Sequence, residues 1–481
     1  MNSENSEIAK YSYLMITTLL LTSIVNYAYQ VLMGLLLPKS EFGILGVALS
    51  VFYIAVVLTQ NTFSWTATRR ISSNIREASK ILRTTVVGNL LLAILTSVTV
   101  ISLSSHSEAY RLPMIIVAAC LITSSVADSY SALFRAMRKF VIIAVANVFN
   151  SVIKLVVAVV LVMVGFGAVG SLIGFFASIF MVTVYLYLLS FKLEIKSSNG
   201  WDFGMILETI PISMTFLGIS FLINGSILFL RYFGASDVLT GDYNAALTIA
   251  RAPFFLANAL ITVTFTYISA TRGEEMAFQT LKYAMLFVFP LCISMFIDPQ
   301  TWLNLFFSTK YLEASSILKF LSLGIGFLSL TQIISSNLVA MEKPLPSALV
   351  MIVSSVILVM FVFHATSAVH FAMAVMVASL AATLFLLLYY IWKYYFKATP
   401  AHVLKLIISY VTLSIPFYFI ELNGRITSLL EIVVAFTLYF LVLTLLNLFD
   451  EKDVEILFSP FSPHFKEFTR RIVLRVNKLG F

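Results

Sequence analysis

The sequence predicts an all-α polytopic membrane protein with about fourteen transmembrane helices, arranged as two pseudo-symmetric six-helix lobes plus two C-terminal helices. Three observations lead to this prediction: an apolar composition, a series of apolar segments of membrane-spanning length, and an internal repeat. Of the 481 residues, 60% are hydrophobic and 11% are charged, and the mean hydropathy is +0.97. Soluble chains are roughly one quarter charged, so a soluble domain of this size is excluded.

The apolar segments set the expected number of helices. A bilayer core about 30 Å thick requires about 20 apolar residues of helix. The first segment is too long to be a removed signal peptide, and it has only a poor match to a cleavage site. The expected spans are 8–36, 42–68, 82–104, 112–135, 139–164, 168–191, 204–232, 242–270, 277–297, 312–340, 344–364, 367–393, 402–421 and 426–449.

Basic residues indicate the orientation of these spans. With the N-terminus placed in the cytoplasm, most of the 31 Lys and Arg residues fall in inner loops or in the tail. A miscounted helix would reverse this bias from that point onward, and the bias holds to the end of the chain. We therefore expect a multi-pass protein of the cytoplasmic membrane with both termini in the cytoplasm.

Reporter fusions test this orientation. Reporters fused after Arg83, Lys139 and Lys343 are expected to read cytoplasmic, and those after Ser104 and Gly165 external, because the basic loops remain inside. The measurement is reporter activity in intact cells. An external reading at Lys343 would show that a span in the second half was miscounted.

An internal repeat relates the two halves of the chain. The phrase GILGVALSVFY at residues 43–53 recurs as GDYNAALTIAR at 241–251, which is 198 residues later. The same register aligns Asn26 with Asn224, Gln60 with Asn258 and Tyr53 with Arg251, and it continues without a gap through two spans of each half. Six helices per repeat is an even number, so both halves enter the membrane from the same side and an axis along the membrane normal relates them.

The repeat divides the chain into four expected parts. Residues 1–200 form the N-terminal lobe with spans one to six, and residues 201–398 form the C-terminal lobe with spans seven to twelve. Residues 399–450 carry the last two spans. Residues 451–481 form a basic cytoplasmic tail, in which an amphipathic helix at 463–479 is expected to lie on the inner leaflet.

Polar residues inside the spans are the candidate functional residues. In three predicted helices they recur every three or four positions, which places them on one face, and such a face must avoid lipid. Arg251 is the strongest candidate for a functional residue. A guanidinium near the middle of a span remains charged, and burying it without partners or water costs several kcal/mol or more. The residues expected to contact substrate are Arg251, Lys154, Asn26, Gln60, Asn224 and Asn258.

A deep acid, Asp128, is open to two interpretations: ion coupling, or a structural ion pair with Lys154 or Arg251. No catalytic residues, metal ligands or cofactors are expected, because the usual signatures of phosphate loops, zinc sites and nucleophile elbows are lacking. The two cysteines, Cys120 and Cys292, both lie in apolar runs and are interpreted as packing residues.

Three segments resemble a known family: LLPKSEFGILGVALS at 36–50, GDYNAALTIARAPFFLANAL at 241–260 and FSTKYLEASSILKFLSLGIGFLSLTQIISSNLVAMEKP at 307–344. They are similar to polysaccharide-biosynthesis flippases of the multidrug/oligosaccharidyl-lipid/polysaccharide (MOP) exporter superfamily. The resemblance covers most of the chain, to about residue 450, and its motifs are loose apolar patterns. It implies a fourteen-helix transporter that flips a polyprenyl phosphate or diphosphate glycan across the cytoplasmic membrane by alternating access.

Other functions stay open at this stage. An ion-coupled drug/cation antiporter of the same superfamily would share the fold, although such proteins typically have twelve spans and rely on acids for coupling. A membrane-embedded glycan polymerase would normally carry a large catalytic loop, and a purely structural membrane protein would not need inward polar faces. The expected partners are a lipid-linked glycan, membrane lipids and, if transport is ion-coupled, sodium or protons; no nucleic acid is expected.

Overall fold

A computed structural model describes most of the chain. The described residues are 2–58, 62–104, 107–193, 200–202, 204–271, 274–394, 400–419 and 424–449, together with residues 453, 467 and 470. Gln60 and nearly all of the predicted tail helix lie outside the described residues. Within these ranges the regular structure is helical throughout.

Eighteen α-helices are found in the described ranges. They are α1 (Asn2–Leu36), α2 (Lys39–Val56), α3 (Thr62–Ser73), α4 (Ala78–Ser104), α5 (Glu108–Ala136), α6 (Phe140–Leu161), α7 (Gly167–Ser190), α8 (Gly204–Tyr232), α9 (Asp237–Ala250), α10 (Ala252–Thr271), α11 (Glu274–Tyr283), α12 (Phe289–Ile297), α13 (Pro299–Phe307), α14 (Ser315–Ala340), α15 (Leu345–Phe363), α16 (Ala368–Tyr394), α17 (Pro400–Phe419) and α18 (Arg425–Leu445).

The helices agree with the predicted spans. Thirteen continuous helical stretches in the described residues are long and apolar enough to cross a membrane. One of them, Phe140–Ser190, has 51 residues, about 76 Å of helix, which is more than twice the thickness of a bilayer core. It folds back at Gly165, whose φ of 101° favours glycine, and so contains both α6 and α7. Pro299–Ala340 counts once, because α13 has nine residues and is too short to cross. The described residues therefore contain fourteen spans, as predicted.

Span eight is broken in the middle, which the hydropathy pattern did not predict. Helix α9 ends at Ala250 and α10 begins at Ala252, so that Arg251 lies at the junction. Pro253 explains the break, because proline has no N–H to donate and its ring clashes with the carbonyl four residues earlier. The helix resumes at once, since the Arg251 carbonyl accepts from the backbone N–H groups of Phe254 and Phe255 at 3.1 and 3.3 Å.

The packing of the first lobe recurs in the second. In the first lobe α5 packs on α7, α6 on α7, α1 on α6, and α4 on α5. The repeat-related contacts in the second lobe are α14 on α16, α15 on α16, α8 on α15, and α12 on α14. The fold therefore consists of two pseudo-symmetric six-helix lobes, to which α17 and α18 are appended.

A crossing of α2 over α9, which we call the outer crossing, joins the lobes near the predicted outer surface. Gly43 and Gly241 occupy equivalent repeat positions, and each faces backbone of the other helix. A Cβ on Gly43 would lie 2.2 Å from the Asp237 carbonyl oxygen, and one on Gly241 would lie 2.0 Å from that of Lys39. Only glycine permits so close an approach of two backbones.

Ion pairs join the lobes near the predicted inner surface. Arg69 and Arg70 of α3 contact Glu208 of α8 at 2.5 and 2.7 Å, and Arg70 also contacts Asp202 at 2.6 Å. The Arg69 and Glu208 side chains are 62% and 40% exposed, and ion pairs of that exposure contribute at most about 1 kcal/mol. The Arg69–Glu208 pair is therefore a weak contact.

Candidate functional site

A cavity of about 590 Å³ lies between the lobes. Its walls come from α1, α2, α5, α6 and α7 of the first lobe and from α8, α9, α10 and α14 of the second. Among the described residues the ionisable groups that line it are Asp128, Arg135, Lys154, Arg251 and the phenols of Tyr27 and Tyr53. The cavity therefore has more cationic than anionic side chains.

Arg251 lines this cavity from the kink between α9 and α10. Its Nη2 donates to Asn224 Oδ1 at 2.6 Å, and its guanidinium lies 5.7 Å from the centre of the Tyr53 ring. The amide of Asn224 is oriented by its own donation to the Ser220 carbonyl at 2.8 Å, which leaves the amide oxygen facing the arginine. Tyr53 and Arg251 are equivalent in the repeat, so the two related positions meet across the interface.

Lys154 lines the opposite wall, on α6 of the first lobe. Its ammonium group donates to Asn26 Oδ1 and lies 4.9 Å from the centre of the Tyr29 ring and 5.4 Å from that of Phe175. Aromatic faces attract cations, and these rings help to offset the cost of removing the charge from water. Asn26 is the repeat equivalent of Asn224, so in each lobe the asparagine at the equivalent position binds one cavity cation.

Both cations retain donors for a ligand. A guanidinium has five N–H groups and an ammonium has three, and the contacts above use one of each. Neither Lys154 nor Arg251 has a carboxylate partner among the residues that the structure describes.

The partner expected for Asp128 was wrong. Its carboxylate contacts Arg135, seven residues further along α5, at 3.4 Å, and it accepts a hydrogen bond from Ser64 of α3. Neither Lys154 nor Arg251 pairs with it. Two turns separate Asp128 and Arg135 on one helix face, so the signal for this pair was present in the sequence.

The remaining predicted residues lie at different places. Asn258 is not among the described lining residues of the cavity; its amide oxygen accepts from Gln332 Nε2 at 2.8 Å, and Gln332 lines the wall. Gln60 lies outside the described residues. The sequence reasoning missed Gln332 and the aromatic side chains of the wall, because aromatic residues are common in every span and carry no polar periodicity. These aromatic residues are Tyr27, Phe52, Tyr53, Phe175, Phe216, Phe254 and Phe255.

A comparison with family profiles identifies the chain. The family described as "Polysaccharide biosynthesis protein" matches residues 8–272, which is more than half of the sequence. The chain belongs to the polysaccharide biosynthesis protein family. A comparison with curated proteins finds no match.

Solved structures similar to this polysaccharide biosynthesis protein include a lipid II flippase and a multidrug transporter of the MOP superfamily. The lipid II flippase MurJ in an inward closed conformation has a TM-score of 0.64 and 16% identity, covering 88% of this chain and 98% of MurJ. An inward-facing multidrug resistance MATE family transporter has a TM-score of 0.59 and 16% identity, covering 80% of this chain and 100% of that transporter. At these identities the comparisons establish the fold, which this chain shares with both proteins.

This polysaccharide biosynthesis protein also has a second cavity, of about 490 Å³, beside the inner ion pairs. Its described walls include Trp65 and Arg69 of α3, Glu208 of α8 and Pro344 after α14. Phe216 of α8 lines both cavities, so its ring stands between the central cavity and the predicted inner surface.

Proposed function

We propose that this protein flips a lipid-linked oligosaccharide, a polyprenyl phosphate or diphosphate glycan, across the cytoplasmic membrane. The lobes move against each other, with the outer crossing and the inner ion pairs opening alternately. The function is that of a transporter and not of an enzyme.

The observation that carries this proposal is the pair of cavity cations. Lys154 comes from one lobe and Arg251 from the other, each is bound by an uncharged asparagine, and both retain N–H donors. Phosphate oxygens are matched by a guanidinium fork and by an ammonium point charge. An anionic headgroup between the two cations would bridge the lobes, and its passage would accompany their movement.

The rest of the wall suits a glycan. Amide side chains of Gln30, Asn147 and Asn150 line the cavity, and they can exchange hydrogen bonds with sugar hydroxyls. Aromatic rings such as Tyr27 and Phe255 supply apolar faces beside them. Polar groups alternating with rings fit a ligand that carries both hydroxyls and apolar faces.

The MOP fold alone is equally compatible with a drug/cation antiporter, since MATE transporters share it. Binding of a cationic drug would require a carboxylate in the cavity whose charge no neighbouring cation balances. Among the described lining residues the one carboxylate is Asp128, which Arg135 already balances. The same balanced carboxylate gives a glycan polymerase no evident catalytic acid. The charge of the cavity therefore favours an anionic substrate.

Vesicle translocation separates these functions. The purified protein is reconstituted into vesicles, and the movement of a labelled lipid-linked oligosaccharide across the bilayer is compared with drug efflux and with sugar polymerisation. We expect translocation only of the lipid-linked glycan. Drug efflux without glycan movement would show that the antiporter is the correct function.

Replacing the two asparagines by aspartate tests the role of the cation charges. Asn224→Asp and Asn26→Asp keep the shape of the side chain but place a carboxylate against Arg251 or Lys154. The carboxylate neutralises the cation, so the loss of one charge-assisted hydrogen bond, about 1.5–3 kcal/mol, is expected to weaken headgroup binding about 10- to 100-fold. The measurement is substrate affinity in the reconstituted protein.

The matched control is Asn258→Asp, a change at an asparagine that contacts Gln332 and neither cation. It is expected to leave headgroup affinity within about threefold of the wild type. Unchanged affinity in both Asn26→Asp and Asn224→Asp, at normal protein levels, would contradict binding of the headgroup by these cations.

A further inference from the structure

A carboxylate lies buried at the junction of α13 and α18, away from the central cavity. Glu431 of α18 is 2% exposed, about 9 Å along the helix from Arg425. Its Oε2 lies 3.2 Å from the Thr301 hydroxyl of α13, and its Oε1 is buried without a hydrogen-bond partner among the described residues. A buried ionised carboxylate without a cation is costly, so this group requires an explanation.

The second carboxylate of this junction, Asp298, already has the donors that an anion needs. It caps the N-terminus of α13, where its Oδ1 accepts from the backbone N–H groups of Gln300 and Thr301 at 3.1 and 3.2 Å. Its Oδ2 accepts from the Thr301 hydroxyl at 2.7 Å. Backbone N–H groups at a helix start stabilise a negative charge, so Asp298 is the ionised member of the pair.

The number of hydrogens available for hydrogen bonds at this junction indicates whether Glu431 is protonated. The Thr301 hydroxyl has one hydrogen and donates it to Asp298, so it can offer only a lone pair to Glu431. Two acceptors do not attract each other at 3.2 Å, whereas a protonated Glu431 can donate to that lone pair. We propose that Glu431 carries an exchangeable proton, linked through the Thr301 hydroxyl to ionised Asp298, and that this junction is a proton-binding site.

Within the part of the chain that the structure describes, no cation balances Glu431. Helix α18 packs chiefly on α13 and α17. The charged residue that acts on Glu431 among the described residues is Asp298, which has the same sign. On α17 the Lys405 ammonium and the Tyr410 hydroxyl donate to the carbonyls of Leu446 and Met285, and Arg425 of α18 is exposed.

Aromatic contacts connect the junction of α13 and α18 to the central cavity, so a change of charge at Glu431 would act on the packing of α13 against the first lobe. Trp302, next to Thr301, stacks on Phe306 with ring centres 6.4 Å apart, and Phe306 meets Tyr27 of α1 edge-on at 5.4 Å. Tyr27 lines the central cavity. Loss of the proton puts a second negative charge beside Asp298, and the repulsion acts on α13, whose aromatic side chains pack on the first lobe.

Infrared difference spectroscopy on the purified full chain in lipid tests the proposal without any glycan, so its result is separate from that of the substrate assignment. The C=O stretch of a protonated carboxyl is expected at low pH and is expected to disappear as the pH rises. Glu431→Gln should remove the Glu431 component of this band, whereas Asp128→Asn, a change at a carboxyl on α5 that does not contact the junction, should leave that component in place. A band of the same intensity and pH dependence in Glu431→Gln as in the parent protein, or no band at low pH, overturns the proposal.

Asp298→Asn is the second variant, and it gives a result even if Glu431→Gln does not fold. It removes the neighbouring negative charge, so the pH at which the band disappears should fall by about one unit or more. An unchanged pH overturns the linkage between the two carboxyls. Addition of sodium at constant pH should leave the band intact; its loss would show that the junction binds a metal cation in place of a proton.

Discussion

Arg251→Ala is expected to abolish most glycan translocation, whereas Arg251→Lys retains part of it. Alanine removes both the charge and the bidentate fork that matches phosphate, whereas lysine keeps the charge and loses the fork. Arg251→Glu should be at least as damaging as alanine, because it repels the anion. The measurement is the rate of lipid-linked glycan translocation in vesicles, normalised to protein level.

Protein level and a control variant separate transport from folding. Arg251 has no carboxylate partner among the described residues, so its removal leaves no unbalanced charge behind; its contact is the neutral amide of Asn224. Arg251→Ala should therefore be expressed at close to the normal level. Lys319→Ala is the matched control, because Lys319 lies in span ten against the Phe296 ring and does not line the cavity. Full transport by well-expressed Arg251→Ala would rule out Arg251 as the headgroup ligand.

Gly241→Ala is expected to prevent closure of the outer crossing and to stop transport at one stage of the cycle. The new Cβ would lie 2.0 Å from the Lys39 carbonyl oxygen, where neither backbone can move without separating α9 from α2. Gly43→Ala should act in the same way, because its Cβ would lie 2.2 Å from the Asp237 carbonyl oxygen. Transport should fall at least about tenfold in both variants, which corresponds to about 1.4 kcal/mol.

Labelling from outside reports the position of the outer crossing. Ala127→Cys places a thiol in the cavity wall, while the native Cys120 and Cys292 are buried. A membrane-impermeant maleimide should label this thiol faster in the Gly241→Ala protein than in its parent. The control is Gly225→Ala, a helical glycine whose Cβ would have the Phe221 side-chain ring as its nearest neighbour, at 3.3 Å. Equal labelling and full transport in Gly241→Ala would show that the crossing need not close.

The spans and the repeat were predictable from the sequence. Hydropathy and the distribution of basic residues are properties of consecutive residues, and they predicted helices such as 204–232 to the residue. The repeat predicted that Asn26 and Asn224 are equivalent, and the structure places each against a cavity cation. The lobe boundaries, the substrate and the roles of these residues stay predictions.

Only the tertiary structure decided which side chains meet. Asp128 was expected beside Lys154 or Arg251 at similar depth, yet it contacts Arg135. Depth follows from position along one helix, whereas a partner depends on how separate helices rotate and tilt against each other, and that packing involves residues far apart in the sequence. The approach of Gly43 to Asp237 and the contact between Glu431 and Thr301 have the same origin. A single glycine or glutamate in an apolar span forms no periodic pattern. Its contacts can therefore be identified only when the position of the neighbouring helix is known.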